Sequence, residues 1–496
     1  MFEEDEELNI LEERQKQIQQ LGLGIISEVH NTPIIDDADI VVAGGGFAGI
    51  TAAISAARNG ARVILIEKAG FLGGLATGGL VNYVTPYKDW YEQVVGGLAE
   101  EIIEKLKHLG AREGEYDVSE EHPWLAQERD WKTRLFGDTQ GRKRYGVQFD
   151  TETLKVLADE MIAEAGVKVL FHTFVAGAQV EDSRVKAVIL ESKSGRFAIS
   201  ARVFVDCTGD GDLAALAGAE FQKGRPSDGR MLPVTLMFRL RGVDVKEAMG
   251  YQFAERSQYG YANLIRLARE NGELDVPHSY FLVRPTVQLD GLEVNGTRVL
   301  GIDGTNIFDL TRAEMELRRQ AKMLVEFFRK YVPGCSGAYI SETASLIGVR
   351  ETRRIVGEYI IQDDDIPDGR KFDDAIGRGT IHVDIHNPAG PGFDIRPVKA
   401  GDWYEIPYKS LVVKGLDNLL VAGRCISATS VAQSALRLYL NVFVSGQGAG
   451  TAAALLCQRE RIKARELDIR LLQRTLVSQG VKLRKEIVER LGTNVG

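Results

Sequence analysis

Residues 38–68 read ADIVVAGGGFAGITAAISAARNGARVILIEK, and this stretch decides the fold. Ile40 to Ala43 is an apolar run that predicts a buried parallel strand. It breaks into Gly44-x-Gly46-x-x-Gly49, after which Ile50, Ala53, Ile54 and Ala57 recur at helical spacing up to Asn59-Gly60. A second apolar run, Val63 to Ile66, ends in Glu67. Strand, glycine turn, helix, strand and terminal acid are the parts of a βαβ dinucleotide site. Gly44 and Gly46 permit a tight turn and a close approach of backbone to a pyrophosphate. The helix N-terminus turns unpaired N–H groups and a positive dipole end on that anion. Glu67 can accept hydrogen bonds from both hydroxyls of an adenosine ribose; an acid there disfavours a 2′-phosphate and argues against NADP.

Working outward, the 496 residues exceed what one core comfortably fills, so two or more domains are expected. The 53 glycines exceed the usual ~7% and suit a fold with many tight backbone–cofactor contacts. A net charge of −9 argues against general binding to nucleic acid or to a membrane surface. Cys207, Cys335, Cys425 and Cys457 lie far apart with no C-x-x-C. Neither a disulfide framework nor a zinc site is expected, and a reducing compartment fits. The acidic start MFEEDEELNI lacks the apolar core of a secretion signal. No apolar run reaches the ~18 residues of a membrane span. The cytoplasm is therefore the expected location.

Residues 1–35 predict a helical arm, docked or frayed, with Leu8, Leu11, Ile18 and Leu21 at roughly helical spacing. After Glu67, GFLGGLATGGL (70–80) is either a flexible surface loop or a loop running along a bound cofactor; its place directly after the ribose-binding acid favours the second. Residues 81–145 mix Trp90, Trp124, Trp131, Tyr83, Tyr87, Tyr91, Tyr116 and Tyr145 with charge around an amphipathic helix at Leu98 to Leu109, which predicts a cap insertion. The cluster Arg142-Lys143-Arg144 fits a solvated surface better than a ligand site. A capped helix is expected from Asp150 to Gly166. Short strands at Val167–Phe171, Val175–Val180, Val185–Leu190 and Phe197–Ile199 predict an antiparallel meander. Arg202 to Thr208 predicts a separate buried strand that breaks into Gly209-Asp210-Gly211. Residues 221–344, with a strand over 231–240 and helices around 246–271 and 311–331, carry few chemical signals and form a substrate domain by elimination. A third strand, Asn418 to Ala422, ends in Gly423-Arg424. A last helix is expected to open at Gly446–Gly450, and a helical tail over 461–496 closes the chain.

Three strand-to-glycine junctions, at 43–46, 208–211 and 422–424, suggest an extended cofactor across the carboxyl edge of one interrupted sheet. The blocks VFVDCTGDGDLAALAGA (203–219), GVRETRRIVGEY (348–359), HVDIHNPAG (382–390) and YEIPYKSLVVKGLDNLLVAGRCISAT (404–429) join the opening stretch to GQGAGTAAAL (446–455). Together they make the chain similar to the FAD-dependent oxidoreductase family of glutathione-reductase-like, two-dinucleotide-domain flavoproteins. The resemblance implies FAD, held noncovalently, in place of a nicotinamide cofactor. It implies an α/β fold: a Rossmann-like FAD-binding domain with an interrupted parallel sheet and a β-meander, discontinuous over 36–80, 146–220 and 345–460, plus an inserted α+β substrate domain. Gly44, Gly46 and Gly49 would hold the pyrophosphate, with Phe47 and Ala48 in the same turn. Glu67, beside Lys68, would bind the ribose. Gly73, Gly74, Ala76 and Thr77 would pass beside the flavin, and Gly209 and Asp210 form the second contact block. Gly423-Arg424, where related flavoproteins often carry Gly-Asp, would turn an arginine on phosphate or ribitol oxygens. The helix at Gly446–Gly450 would either point its N-terminus at the flavin N1–C2=O edge or form a helix-packing face.

Catalytic candidates come from two blocks. Arg350, Arg353 and Arg354 stand at i, i+3 and i+4, one face of an expected helix, as a carboxylate or phosphate clamp or as ion-pair partners of Glu351 and Glu358. His382, Asp384 and His386 alternate to one face of a strand. The resemblance lends a metal no support, and His386 is expected either as a proton donor or acceptor near the flavin or as a structural histidine. Cys425 lacks a partner cysteine for thiol chemistry. The expected activity is that of a dehydrogenase passing hydride between flavin N5 and a small-molecule substrate, a carboxylate among the candidates. His386 would take the proton and Arg350 or Arg354 would orient the substrate. The alternative is an electron-transfer subunit relaying electrons between protein partners; such relays usually bring cysteine-rich iron–sulfur motifs, which this sequence does not have. Neither nucleic acid nor membrane is an expected partner, and a homo-oligomer stays open.

Overall fold

The computed structural model describes residue 26 and residues 28–88, 94–113, 145–254, 261–278, 281–390, 392–399, 402–459 and 463–492. The expected helix over 3–21, the aromatic residues Trp90, Tyr91, Tyr116, Trp124 and Trp131, and the cluster Arg142-Lys143-Arg144 lie outside the described residues. Met1–Pro33 is one unit of the chain and Ile34–Gly496 the other. The second unit holds everything that follows.

β1 (Ile34–Ala43), α1 (Phe47–Arg58) and β2 (Val63–Ile66) form the expected βαβ unit, with β1 and β2 parallel from Ile40–Val63 to Ala43–Ile66. β3 (Lys168–Leu170) pairs in parallel with the other edge of β2. Every residue of β2 is buried, which is why VILI shows no polar alternation. β4 (Phe174–Glu181), β5 (Arg184–Ser192) and β6 (Gly195–Asp206) make the antiparallel meander. The expected break between Phe197–Ile199 and Arg202–Thr208 does not occur. β6 runs unbroken because β1 lies along it in parallel from Ile34–Ala198 to Ala43–Asp206. The other edge of β6 is shared: β5 takes its first half and the strand Leu419–Val421 its end, at Phe204–Asp206.

Residues 221–344, expected to form a substrate domain, contain β7 (Phe238–Arg241), β8 (Leu282–Pro285), β9 (Leu292–Asn295), α2 (Ile307–Tyr331) and β10 (Tyr339–Thr343). Its antiparallel sheet has the order β8-β9-β7-β10. The strand expected over 231–240 begins only at Phe238, with isolated bridges at Val234 and Thr235. Phe238, Phe281, Phe327 and Phe328 fill the core on one face of the sheet. The opposite face carries a cross-strand row of alternating charge, Arg284–Glu293–Arg239–Glu342, one residue from each strand.

α3 (Tyr439–Cys457) is long and apolar enough to cross a membrane, and here it is buried throughout the core. Gly446 and Gly450 lie in its middle and not at its start. A Cβ on Gly446 would stand 2.3 Å from the Ala48 carbonyl oxygen, and one on Gly450 2.1 Å from that of Ala52. The flavin-facing helix start expected there is thus corrected to a packing seam: small residues let α1 and α3 approach until the Ser55 and Thr451 hydroxyls hydrogen-bond at 2.6 Å. A helix so closely packed tolerates no added volume. Gly450→Val is expected to lower the unfolding free energy by at least about 1–3 kcal/mol, read as a lowered urea midpoint at unchanged slope.

Candidate active site

The glycine turn brings the ends of three strands together. Gly44 has φ +96°, and a Cβ on it would lie 2.4 Å from the Cys207 carbonyl oxygen at the end of β6. Gly46 caps α1 without a side-chain hydrogen bond, and no acid occupies the first turn. Nothing stands within 4 Å of where a Gly46 Cβ would be, so the helix N-terminus faces open space. That is a cradle suited to a diphosphate. Phe47 and Ala48 begin α1, the Phe47 ring packing on Tyr439 and Phe443 and Ala48 lying against Gly423. Glu67 is buried at the end of β2, where its carboxylate accepts from Gly45 N at 2.6 Å and Ala69 N at 2.7 Å. Those bonds aim the carboxylate and leave it lone pairs for ribose hydroxyls. Lys68 is exposed. The following loop returns to the motif: Gly73 N donates to Gly45 O at 2.9 Å, Gly74–Ala76 makes a single tight turn, and Thr77 Oγ1 donates to Leu72 O at 2.7 Å.

The second and third junctions are tied by charge. Arg424 donates through Nε to Gly209 O at 2.9 Å, pairs with the Asp210 carboxylate and reaches Val349 O. Thr352 Oγ1 also donates to Asp210 at 2.7 Å. Arg424, expected to meet cofactor oxygens, is thus held by three protein acceptors at the point where the sheet edge meets a cavity.

That cavity, about 240 Å³, lies between the glycine-rich loop and the charged face of the β8-β9-β7-β10 sheet. Leu75, Val349, Arg424 and Tyr439 line it on one side, and Leu282, Arg284, Glu293 and Asn295 on the other. Arg350, Asp384, His386 and Arg437 complete it. The helix expected around Arg350–Arg354 is not formed; the segment is irregular apart from the two-residue strand Arg354–Ile355 and isolated bridges at Gly348 and Gly357. Its three arginines therefore diverge and do not share a face. Arg350 enters the cavity, donating to Pro233 O at 2.7 Å and Thr235 Oγ1 at 2.8 Å. Arg353 binds Asp210 O and Asp212. Arg354 is buried outside the cavity against Glu351, Ala428 O and Gly224 O, a structural ion pair.

His386 ends the strand Val383–His386, its Nε2 3.5 Å from Asp384 Oδ2, which also accepts from Arg437 Nη2 at 2.9 Å. Burial, reinforced by the positive Arg350, lowers the His386 pKa to about 4. Burial alone would raise the Asp384 carboxyl, but His386 and Arg437 beside it hold it well below the usual carboxylate range. Among the described residues no His, Cys, Asp and Glu cluster is arranged to hold a metal ion. Cys425 is buried, and burial pushes its thiol well above the ordinary value, which removes the thiolate that reactive cysteines need. Sequence reasoning missed the wall of the cavity that β8 and β9 supply. Arg284 and Glu293 sit on short strands whose alternation could have marked them as one face, but nothing in the sequence says which cavity that face meets.

A Rossmann-like sheet with its carboxyl edge opening on an arginine-rich cavity defines a flavoprotein oxidoreductase, and comparison with known proteins gives the family. The model of the FAD dependent oxidoreductase family matches residues 39–476, and the chain belongs to that family. It is an enzyme whose cofactor is FAD. Over 191 residues it is 32% identical to urocanate reductase of Eggerthella lenta, covering 31% of each chain. Over 48 residues it is 56% identical to fumarate reductase (cytochrome) of Shewanella frigidimarina, covering 9% of this chain and 8% of that one. The chain thus spans less than a third of the length of these curated relatives. Among solved structures it is similar to p-nitrophenol 4-monooxygenase from Pseudomonas putida (13% identity, TM-score 0.45, 89% of this chain and 84% of that one). A geranylgeranyl bacteriochlorophyll reductase-like protein from Thermoplasma acidophilum also matches (13%, 0.42, 92% and 99%).

Glu67→Ala removes the charged acceptor at the ribose end and frees Gly45 N and Ala69 N. FAD is expected to bind about 10–100-fold more weakly, since a hydrogen bond to a charged group contributes about 1.5–3 kcal/mol. Fluorescence titration of the FAD-stripped protein measures it.

Proposed function

We propose that the protein is a dehydrogenase or reductase of a small organic carboxylate. The observation that carries this reading is the cavity beside the glycine-rich loop, whose walls hold Arg284, Arg350, Arg424 and Arg437 against the acids Glu293 and Asp384. Counting Asp210, which pairs with Arg424, four permanent cations stand against three carboxylates and leave a positive interior that favours an anion. The relatives named for urocanate and fumarate reduction act on carboxylates, which supports the same substrate class.

Gly44, Gly46, Gly49 and Glu67 would hold the diphosphate and ribose of FAD, and Gly73, Gly74, Ala76, Thr77, Gly209, Asp210, Gly423 and Arg424 would surround the rest. When bound, FAD supplies a two-electron centre that exchanges hydride at N5 with a substrate carbon. His386 handles the proton that accompanies the hydride. With Nε2 turned to Asp384, Nδ1 carries the lone pair, so the neutral imidazole takes a proton from the substrate in the oxidative direction and returns it in the reductive one. Burial and the neighbouring Arg350 keep His386 unprotonated, and Arg350 adds to the field that draws the carboxylate in. The same reading takes FAD as noncovalent, released as free yellow cofactor on acid precipitation, and the protein as cytoplasmic, with no membrane or nucleic-acid partner.

The direct experiment is an anaerobic screen of short carboxylates against the FAD-loaded protein, in which a substrate bleaches the oxidised flavin or recolours the reduced one. Carboxylates inert in both directions, beside active neutral alcohols or amines, would overturn the reading. His386→Gln is expected to lower kcat by about 10²–10⁴ with the flavin spectrum intact. The sign of the pH dependence follows from a base with a lowered pKa. In the oxidative direction the wild-type kcat/KM rises through a limb near the His386 pKa of about 4 and is flat toward neutrality; in the reductive direction, where the imidazolium gives the proton, it falls through the same limb. The variant lacks that limb.

A further inference from the structure

We infer that Arg284, stacked on Tyr83, is the anchor that grips the carboxylate of the substrate, an inference that rests on the functional reading above. The alternation of β8 buries Val283 and Pro285 in the module core and turns Leu282 and Arg284 to the cavity. The Arg284 guanidinium carbon lies 4.2 Å from the centre of the Tyr83 ring, which comes from the strand Tyr83–Lys88 of the cap. Stacking fixes the plane of a guanidinium while leaving its N–H edge to make two parallel hydrogen bonds in that plane.

What sets Arg284 apart is that, among the described residues, no protein acceptor is hydrogen-bonded to it, and Glu293 acts on it only through the field. Its cross-strand neighbour Glu293 is the obvious ion-pair partner. The Glu293 carboxylate is instead taken by Asn82 Nδ2 at 2.7 Å, Gln148 Nε2 at 3.0 Å and Arg239 Nε at 3.2 Å. Among the described residues Arg284 forms neither a hydrogen bond nor an ion pair. The other arginines of the cavity are engaged: Arg424 with Asp210, Arg437 with Asp384, and Arg350 with Pro233 O and Thr235 Oγ1. A half-buried guanidinium with its donors open is costly unless an anion completes it. Because Tyr83 already holds it in place, the ordering cost of binding is small. Arg284 lines the same cavity as Leu75 of the glycine-rich loop and comes from a different element, so it would hold the carboxylate end and leave the rest of the substrate to reach the flavin-side loop.

The test titrates the FAD-loaded protein with propanoate, fumarate and urocanate, with propanamide as the neutral control and inorganic phosphate as a second anion, following the flavin difference spectrum. The wild type should show saturable perturbation by at least one carboxylate and none by propanamide. Arg284→Met should weaken that binding about 30-fold or more, Arg284→Lys about tenfold through loss of the planar fork, and Tyr83→Leu several-fold. All three should keep the wild-type FAD spectrum and melting temperature. Carboxylate binding unchanged in Arg284→Met but lost in Arg350→Met would overturn the anchor while leaving the carboxylate reading in place. A wild-type flavin that answers phosphate and no carboxylate, or no anion at all, would sink both.

Discussion

The structure depends on the pairing of β6 with β1. From Ala198 to Asp206 β6 takes β1 on one edge in parallel register, and on the other edge it serves the meander first and the strand Leu419–Val421 at its end. One strand thereby collects segments separated by hundreds of residues. Their three glycine-bounded ends, at Gly44, Gly209 and Gly423, emerge side by side. The contact between Gly44 and the Cys207 carbonyl shows how tight that convergence is, since a single β-carbon would overlap the neighbouring backbone. Cofactor binding follows from this geometry: an extended dinucleotide needs backbone edges aligned over its length, and parallel pairing aligns them.

Charge then organises the space above the edge. Asp210 holds Arg424, Asp384 holds Arg437 and approaches His386, and Glu293 and Glu342 hold Arg239. Buried ions are tolerated when paired and hydrogen-bonded, and each of these is. The network is therefore a scaffold as well as a source of field. It fixes the guanidinium groups, while burial and the neighbouring Arg350 keep His386 neutral. Within it Arg284 differs in kind, because an aromatic ring and not a carboxylate holds it in place.

Much of the fold was legible in the sequence. Alternation and apolar runs gave the meander and the βαβ unit because strand and helix periods are local properties. Reading failed where local pattern and long-range pairing disagree. Ser200, Ala201 and Arg202 look like a break between strands, yet β1 holds them in one continuous ladder. Arg350, Arg353 and Arg354 have helical spacing, yet the segment forms no helix, and the cavity, Asp212 and Glu351 each claim one of them. Gly446–Gly450 resembles the glycine-rich start of a phosphate-binding helix. It serves instead where α1 comes too close for side chains.

The sequence by itself determined the dinucleotide motif, with Gly44, Gly46, Gly49 and Glu67, because those positions act through backbone conformation and a short, fixed chain separation. It also determined the family. The tertiary structure alone decided which charges share a cavity: Arg284 and Glu293 from the inserted module, His386 and Arg437 from the returning half, and Arg424 from the third junction. Electrostatic interaction depends on distance through space, and sequence separation carries no record of that distance until the sheet has closed.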